Sequence, residues 1–181
     1  MIHMPGLQKF YFIENFNRDH LKSLDSNTNV IYRNYKEKYD VSKIFNIKKF
    51  CKKIQRKFFL ANDINLAVKL QLDGVYIPSF NKDISVKRLS NKKLLLLGSA
   101  HNLKEINEKK KQGVQILFLS PLFKVEKTKK FLDVVKFNIY SKVFNGSVVA
   151  LGGIRKNNIN KVKALNCFGF ASISYIKNSI K

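Results

Sequence analysis

Two glycines that suit phosphate binding follow one of the apolar segments of this chain. Gly152 and Gly153 come directly after the apolar run 148–151. Backbone N–H groups of glycine approach a phosphate closely because no side chain intervenes. Ser174, beyond the next apolar run, adds a hydroxyl donor. The pattern favours a phosphate site, while a lone Gly-Gly is also typical of an ordinary tight turn.

Cationic and hydroxyl groups follow other apolar segments. Arg33 comes directly after the run 29–32, and Thr128, Lys129 and Lys130 form a Thr-Lys-Lys sequence. Guanidinium, ammonium and hydroxyl groups all donate hydrogen bonds to phosphate oxygens. An arginine at the end of an apolar strand favours function, whereas the Thr-Lys-Lys sequence taken alone is more often a solvated loop.

Oxygen ligands for a hard cation occur after the third and fourth apolar runs. Asn62 and Asp63 follow the third run, and Asn81 and Asp83 follow the fourth. Mg²⁺ prefers carboxylate and other oxygen ligands, so Asp63 is the strongest candidate. The alternative for Asp63 is a cap on the following helix. His101 and Asn102, which come after Ser99, are likewise favoured as capping residues over catalytic ones.

Eight short apolar runs must position these residues. None alternates cleanly between apolar and polar residues, and continuous apolar runs are typical of parallel strands covered on both faces. The predicted strands are KFYFI (9–13), NVIY (29–32), KFFLA (57–61), GVYI (74–77), KLLLLG (93–98), QILFLS (115–120), VVALGG (148–153) and GFASIS (169–174).

Helical patterns lie between several of these runs. They cover residues 42–55, 64–71, 102–112 and 157–166. Strand and helix thus alternate about eight times, which predicts an α/β fold, a compact (β/α)₈ TIM barrel. A doubly wound open sheet is the alternative. After the eighth run the chain is short, so the last helix is predicted to be truncated or missing, and a partner chain could cover that side in a homodimer.

The composition of the chain limits the classes of partner that it is expected to bind. The chain has 181 residues, a net charge of +23 and 45% hydrophobic residues, which predicts a single globular domain over residues 1–181. The lysines are spread along the chain, and the aromatics fall within the apolar runs rather than between the lysines. A nucleic-acid-binding surface is therefore disfavoured and is kept as the alternative, while compositional drift and an ordinary solvated surface are the favoured explanation of the charge.

Cysteine content and hydropathy indicate the cellular compartment of the protein. The two cysteines, Cys51 and Cys167, have no metal-binding spacing and are predicted to be apolar fillers. No apolar run reaches the roughly 18 residues of a membrane span. The sequence analysis therefore predicts a cytoplasmic protein with no membrane partner.

Taken together, the strand ends resemble the thiamine-phosphate synthase / TenI family. The resemblance covers residues 8 to 176 and is carried by FFLANDINLAVKLQLDGVYI, LLGSAHNLKEINEKKKQGVQILFLSPLF, TKK, VVALGGI and GFASISYI. It implies a (β/α)₈ barrel, usually a dimer. It also implies a synthase that joins a pyrimidine-methyl pyrophosphate to a thiazole phosphate with Mg²⁺ and releases pyrophosphate, with small phosphorylated substrates as partners.

The resemblance assigns roles to individual residues. Arg33 matches the arginine of the family's second-strand Gln-x-Arg-x-Lys motif. Ser99 matches a serine that contacts pyrophosphate, and Lys129 matches the lysine of a Thr-Lys pair near the phosphates. These three are the predicted catalytic residues. Asp63 matches a metal ligand. The predicted substrate-binding residues are Asn62, Thr128, Gly152, Gly153, Ile173 and Ser174, of which the last four match the cup for the thiazole phosphate.

The chain departs from the family pattern at the pyrimidine and metal end. Ile31 replaces the family glutamine and Tyr35 the family lysine, although Lys36 is adjacent. The second metal aspartate is Asn81, a neutral and weaker Mg²⁺ ligand, and Asp83 could substitute if the loop bends. These departures leave open a TenI-like protein that binds or acts on a thiazole phosphate without synthase activity.

Overall fold

Eight parallel strands form a closed barrel in the computed structural model, which describes residues 6–89, 94–126, 128 and 130–178. Each strand pairs with the next along the chain, and the last pairs with the first. The strands are β1 Gln8–Ile13, β2 Thr28–Tyr32, β3 Phe58–Ala61, β4 Gly74–Ile77, β5 Leu95–Ala100, β6 Ile116–Leu119, β7 Ser147–Leu151 and β8 Gly169–Ala171.

Helices connect the strands and cover the outside of the barrel. They are α1 Arg18–Ser23, α2 Val41–Lys53, α3 Ile64–Lys69, a 3-10 helix Ile84–Leu89, α4 Leu103–Lys111, α5 Asp133–Val143, α6 Ile159–Lys163 and α7 Ile173–Asn178. Side-chain caps define several starts: Asp40, for example, accepts hydrogen bonds from the backbone N–H groups of Ser42 and Lys43 at the start of α2.

Side chains of each strand alternate between the barrel interior and the helical layer. On β2, Ile31 packs inside the barrel and Tyr32 packs with the residues under the helices. This alternation turns the next residue, Arg33, toward the interior side at the carboxyl end of the barrel. The interior is rich in aromatic rings, with Phe10 and Phe118 only 5.0 Å apart between ring centroids. It is a packed core, and its upper surface forms the floor of the barrel mouth.

The predicted barrel is confirmed, and so is the short last helix, since α7 has six residues. The largest error in a strand boundary is at the end of the eighth predicted strand. The apolar run 169–174 is not a single strand, because β8 ends at Ala171 and Ser172 caps α7 by accepting a hydrogen bond from Tyr175 N. The sequence patterns also missed α1, the 3-10 helix and α5.

None of the helices formed by the described residues is long and apolar enough to cross a membrane. Cys51 is buried in α2, and burial raises the pKa of its thiol to about 12. Cys167 is half-buried, and burial raises its pKa as well. Both cysteines therefore act as apolar filling, as predicted.

Candidate functional site at the barrel mouth

The floor of the mouth is built from aromatic side chains. Phe12, Tyr76 and Phe118 meet edge to face with ring centroids 5.2 to 6.1 Å apart. Burial raises the pKa of Tyr76, and a hydrogen bond with Ser99 opposes that rise. Ser99 is itself buried at the end of β5. The floor is thus apolar apart from one phenol and one serine hydroxyl.

Arg33 lies on this floor. Its backbone N–H donates to Ile13 O at 2.9 Å, which continues the β1–β2 ladder by one residue. Its guanidinium carbon lies 4.6 Å from the centroid of the Phe12 ring, a cation–π contact. Arg33 and Ile173 line one cavity of about 550 Å³, together with Glu14. The structure therefore brings together two predicted site residues from opposite ends of the chain.

The two glycines after β7 have left-handed backbones, with φ of 92° at Gly152 and 71° at Gly153. A Cβ on Gly153 would lie 2.6 Å from Phe123 O, and Phe123 N donates to Gly152 O. The glycines therefore admit the loop that follows β6, a packing role that sequence analysis did not foresee. None of the hydrogen bonds within the described residues uses the Gly153 N–H, so this amide is available to a ligand.

The ends of β7 and β8 are tied together. Ser172 Oγ donates to Ile154 O at 2.8 Å, and Ser172 is buried. Ile173 follows and is half exposed. Ser174 belongs to α7 by its backbone, and its side chain lies outside the described part of the structure. The ends of the two strands that carry the predicted cup residues are thus joined, and the link is Ser172, which is not one of the predicted site residues.

The candidate metal corner contains one available carboxylate. Asp63 Oδ1 accepts a hydrogen bond from Leu66 N at 2.9 Å and caps α3, so the capping alternative is confirmed. Its other oxygen accepts none of the hydrogen bonds made by the described residues. Asn81 Nδ2 donates to Asn62 Oδ1 at 2.8 Å. Both oxygens of the exposed Asp83 carboxylate accept hydrogen bonds from Ser85, which holds the pKa of Asp83 below its usual range.

These contacts do not fit a magnesium site formed by two or three acidic side chains. No group of three histidine, cysteine, aspartate or glutamate residues that could hold a metal occurs in the described ranges. The Asp83 carboxylate does not replace the missing second aspartate, because Ser85 holds it at the start of the 3-10 helix. The free oxygen of Asp63 fits the weaker arrangement in which Mg²⁺ has one carboxylate ligand and takes its other ligands from substrate phosphates and water.

The loop after β6 carries the hydroxyl and cationic candidates. Thr128 and Lys130 line a cavity of about 540 Å³ together with His101, and Thr128 Oγ1 accepts a hydrogen bond from Lys130 N. Lys129, a predicted catalytic residue, lies outside the described residues. Thr128 therefore lies beside this cavity, while Arg33 and Ile173 line a different one.

His101 and Asn102 have the structural role that was favoured for them. Asn102 Oδ1 accepts from Glu105 N at 3.0 Å, and Glu105 Oε2 accepts from His101 N at 2.8 Å, a reciprocal capping box at the start of α4. The imidazole is occupied too, because His101 Nδ1 lies 2.8 Å from Ser120 O.

A buried cation that no sequence pattern predicted, Lys109, lies beside the metal corner. Lys109 of α4 is fully buried, and its ammonium donates to Pro78 O at 2.7 Å and to Asn81 O at 2.8 Å. Burial lowers the pKa of Lys109 to about 8. One signal was available: Lys109 lies three residues after the buried Ile106 and shares its helix face.

A closed parallel barrel with polar and cationic groups at the carboxyl ends of its strands defines a (β/α)₈ protein whose site lies at the mouth. The family model for thiamine monophosphate synthase (TMP-TENI) matches residues 21–176. The chain belongs to this family.

Individual relatives agree with this assignment. A thiamine-phosphate synthase of Prochlorococcus marinus subsp. pastoris is 29% identical over 164 residues, which cover 87% of this chain and 47% of that relative. One of Pyrococcus abyssi is 28% identical over 144 residues, which cover 78% of this chain and 68% of the relative. The chain thus spans about half the length of the Prochlorococcus relative.

A solved structure agrees on the fold. The thiamine phosphate pyrophosphorylase of Pyrococcus furiosus superposes with a TM-score of 0.75 at 18% identity, covering 92% of this chain and 85% of that chain.

Proposed function

We propose that this protein is a thiamine-phosphate synthase, which joins a hydroxymethylpyrimidine pyrophosphate to a thiazole phosphate and releases pyrophosphate. The observation that carries the proposal is the cavity that Arg33 and Ile173 share and that Phe12 of the aromatic floor also lines. Membership of the thiamine monophosphate synthase family supports it. In this assignment the thiazole phosphate lies at the joined ends of β7 and β8, and the pyrophosphate lies toward Arg33, Ser99 and Asp63.

The proposed reaction exchanges one bond for another at the pyrimidine methylene carbon. The bond from this carbon to the pyrophosphate oxygen breaks, and the electron pair leaves with the pyrophosphate. The thiazole nitrogen supplies its lone pair to form the new C–N bond. The protein must neutralise charge that develops on the leaving group. Arg33, which lies on the aromatic floor, is proposed to supply the positive charge. Ser99 and Lys129 are proposed as further hydrogen-bond donors.

Mg²⁺, which the family resemblance implies, would be held by Asp63 together with pyrophosphate oxygens and water. It would supply positive charge to the leaving group. The neutral Asn81 makes this a weaker site than one with two carboxylates. The chain's many cationic side chains offset part of that loss by attracting the anionic substrates to the mouth.

The test is direct formation of product. Purified protein, shown to be folded by circular dichroism, is incubated with both substrates and Mg²⁺, and thiamine phosphate is quantified by chromatography. We expect product above a no-enzyme control and a loss of product in Arg33→Ala. Folded wild-type protein that forms no product refutes the synthase proposal.

One observation favours a second candidate, a TenI-like protein that binds or acts on a thiazole phosphate alone. The metal corner has one available carboxylate, while the β7–β8 side retains its glycines. This candidate predicts that calorimetry detects thiazole phosphate binding without pyrimidine substrate or Mg²⁺. It also predicts that product formation stays at the level of the control.

We also propose a homodimer, which the family resemblance implies. Light scattering coupled to size exclusion measures the mass of the particle. A single chain weighs 21.0 kDa, so a particle of that mass excludes the dimer.

A further inference from the structure

Lys109 is the most deeply buried cation among the described residues, and none of the proposed catalytic steps uses it. Its stem lies between α4 and the barrel, where it passes Gly98 of β5. A Cβ on Gly98 would lie 3.0 Å from Lys109 Cδ, so the missing side chain makes room for the lysine. The ammonium therefore reaches the loop after β4 from outside the barrel.

All three donor positions of this ammonium are used. Beyond the carbonyl oxygens of Pro78 and Asn81, it donates to Gln112 Oε1 at 2.8 Å. Gln112 is also fully buried, and its Nε2 donates to Asn81 O and to Asp83 O, both at 3.0 Å. Lys109 of α4 and Gln112, which caps the end of that helix, thus hold three carbonyl groups of one loop. We name Lys109 and Gln112 the loop clamp.

The loop clamp is not explained by stability alone. Removing an ammonium from water is costly, and an apolar side chain of similar size commonly fills such a space at lower cost. The carboxylates of Glu108 and Glu105 act on Lys109 by charge and accept none of its hydrogen bonds. A buried ammonium whose N–H groups point in fixed directions holds the carbonyl groups of the contacted loop in one arrangement.

The clamped loop ends at the pyrophosphate side of the mouth. Asn81, whose carbonyl accepts from both members of the clamp, donates through its side chain to Asn62 at 2.8 Å. Asn62 precedes Asp63 and has a left-handed backbone, with φ of 60°, so its conformation is sensitive to its partners. A shift of Asn81 would therefore pass to Asn62 and Asp63.

We infer that Lys109 is a positioning residue for the pyrimidine pyrophosphate: through Asn81, the loop clamp fixes the amide and carboxylate groups that receive this substrate. The inference rests on the proposed function. It does not extend to the thiazole phosphate, because β4 and β8 lie on opposite sides of an eight-stranded barrel. The two substrates therefore report on two sides of the mouth.

The test uses Lys109→Met, with Lys110→Met as its matched control. Both lysines lie on α4, and Lys110 is exposed, so the control makes the same change of charge without touching the loop. In Lys109→Met we expect KM for the pyrimidine pyrophosphate to rise about tenfold, which corresponds to one lost hydrogen bond of about 1.4 kcal/mol. KM for the thiazole phosphate and kcat stay within about twofold of wild type, and the control matches wild type. Equal rises in both KM values, or a change in kcat alone, overturn the inference.

A double variant tests whether the effect passes through Asn81. Asn81→Ala alone is expected to raise the same KM, and adding Lys109→Met to it is expected to change little more, since the two residues act in series. Fully additive effects overturn the inference. If Lys109→Met does not fold, Gln112→Met leaves the ammonium on its two carbonyls and should show the same selective rise in KM.

Failure of the proposed function is distinguishable from failure of the clamp. If folded wild-type protein forms no thiamine phosphate, hydrogen exchange of the peptide covering residues 78–85 is compared between variants, and inorganic pyrophosphate serves as the binding probe. Faster exchange and weaker pyrophosphate binding in Lys109→Met, but not in Lys110→Met, support the clamp. Unchanged exchange or unchanged binding overturns it.

Discussion

Replacing Gly153 by alanine tests whether the glycines after β7 serve packing as well as phosphate binding. The new Cβ would lie 2.6 Å from Phe123 O and 2.9 Å from Lys124 O. Both atoms belong to the backbone of the loop after β6, so neither can rotate away as a flexible side chain would. Alanine must also adopt the left-handed φ of 71° that glycine tolerates.

The expected cost follows from these two effects. A left-handed backbone costs an alanine about 1 kcal/mol, and inserting a methyl group into a packed contact costs about 1–3 kcal/mol. The free energy of unfolding should therefore fall by about 3 kcal/mol. For a chain of this size that corresponds to a fall in Tm of about 6–12 °C.

Urea denaturation followed by circular dichroism measures the loss. Gly6→Ala is the matched control, because a Cβ at Gly6 has no atom within 4 Å, and its stability should stay within about 0.5 kcal/mol of wild type. A Gly153→Ala protein that loses less than about 1 kcal/mol would show that the loop does not pack against this glycine. KM for the thiazole phosphate should rise in the same variant, because the displaced loop disturbs the Gly153 N–H.

Three further variants or probes separate roles at other residues. Asp63→Asn keeps the cap on α3 and should retain stability, whereas Asp63→Ala should lose about 1 kcal/mol in urea denaturation. Both should lose magnesium-dependent product formation, and an active Asp63→Asn contradicts the metal role. Arg33→Lys keeps the charge but not the planar contact with Phe12, so kcat/KM should fall about tenfold, and unchanged kinetics contradict a role for that contact. Because burial raises the Cys51 pKa to about 12, its thiolate is scarce at pH 8, and alkylation followed by mass spectrometry should be roughly a thousandfold slower than in the unfolded chain. Labelling of folded protein at the unfolded rate would contradict its burial.

The strands were predictable because a parallel strand under helices is apolar on both faces. Each predicted run overlaps one observed strand, and the boundaries differ by a few residues. The helices that were missed lack the signal on which prediction depends. α1 has six residues and buries only Leu21. On α5, Val135 and Ile139 are exposed while Phe137 is buried, so apolar residues occur on several faces and no single stripe identifies the helix.

The site was predictable only as far as strand ends determine position. The barrel brings Arg33 and Ile173 into one cavity because β1 pairs with both β2 and β8, which follows from topology. Hydrogen bonds made within loops were not predictable in this way. The Asp83 carboxylate accepts its hydrogen bonds from Ser85 at the start of the 3-10 helix, and no apolar pattern marks that helix.

The high positive charge concealed a cation that contacts the loop of the metal corner. Because the chain has 35 lysine and arginine residues, its composition does not distinguish one lysine of α4 from the others. Its place on the Ile106 face does carry one, because a charged residue is rarely buried without partners that compensate for the lost water. Lys109 finds those partners in the loop that holds Asn81, at the corner where the family resemblance implies a carboxylate that this chain lacks. Loss of that carboxylate and ordering of its loop by a buried ammonium are therefore best tested together, in the Lys109→Met and Asn81→Ala double variant.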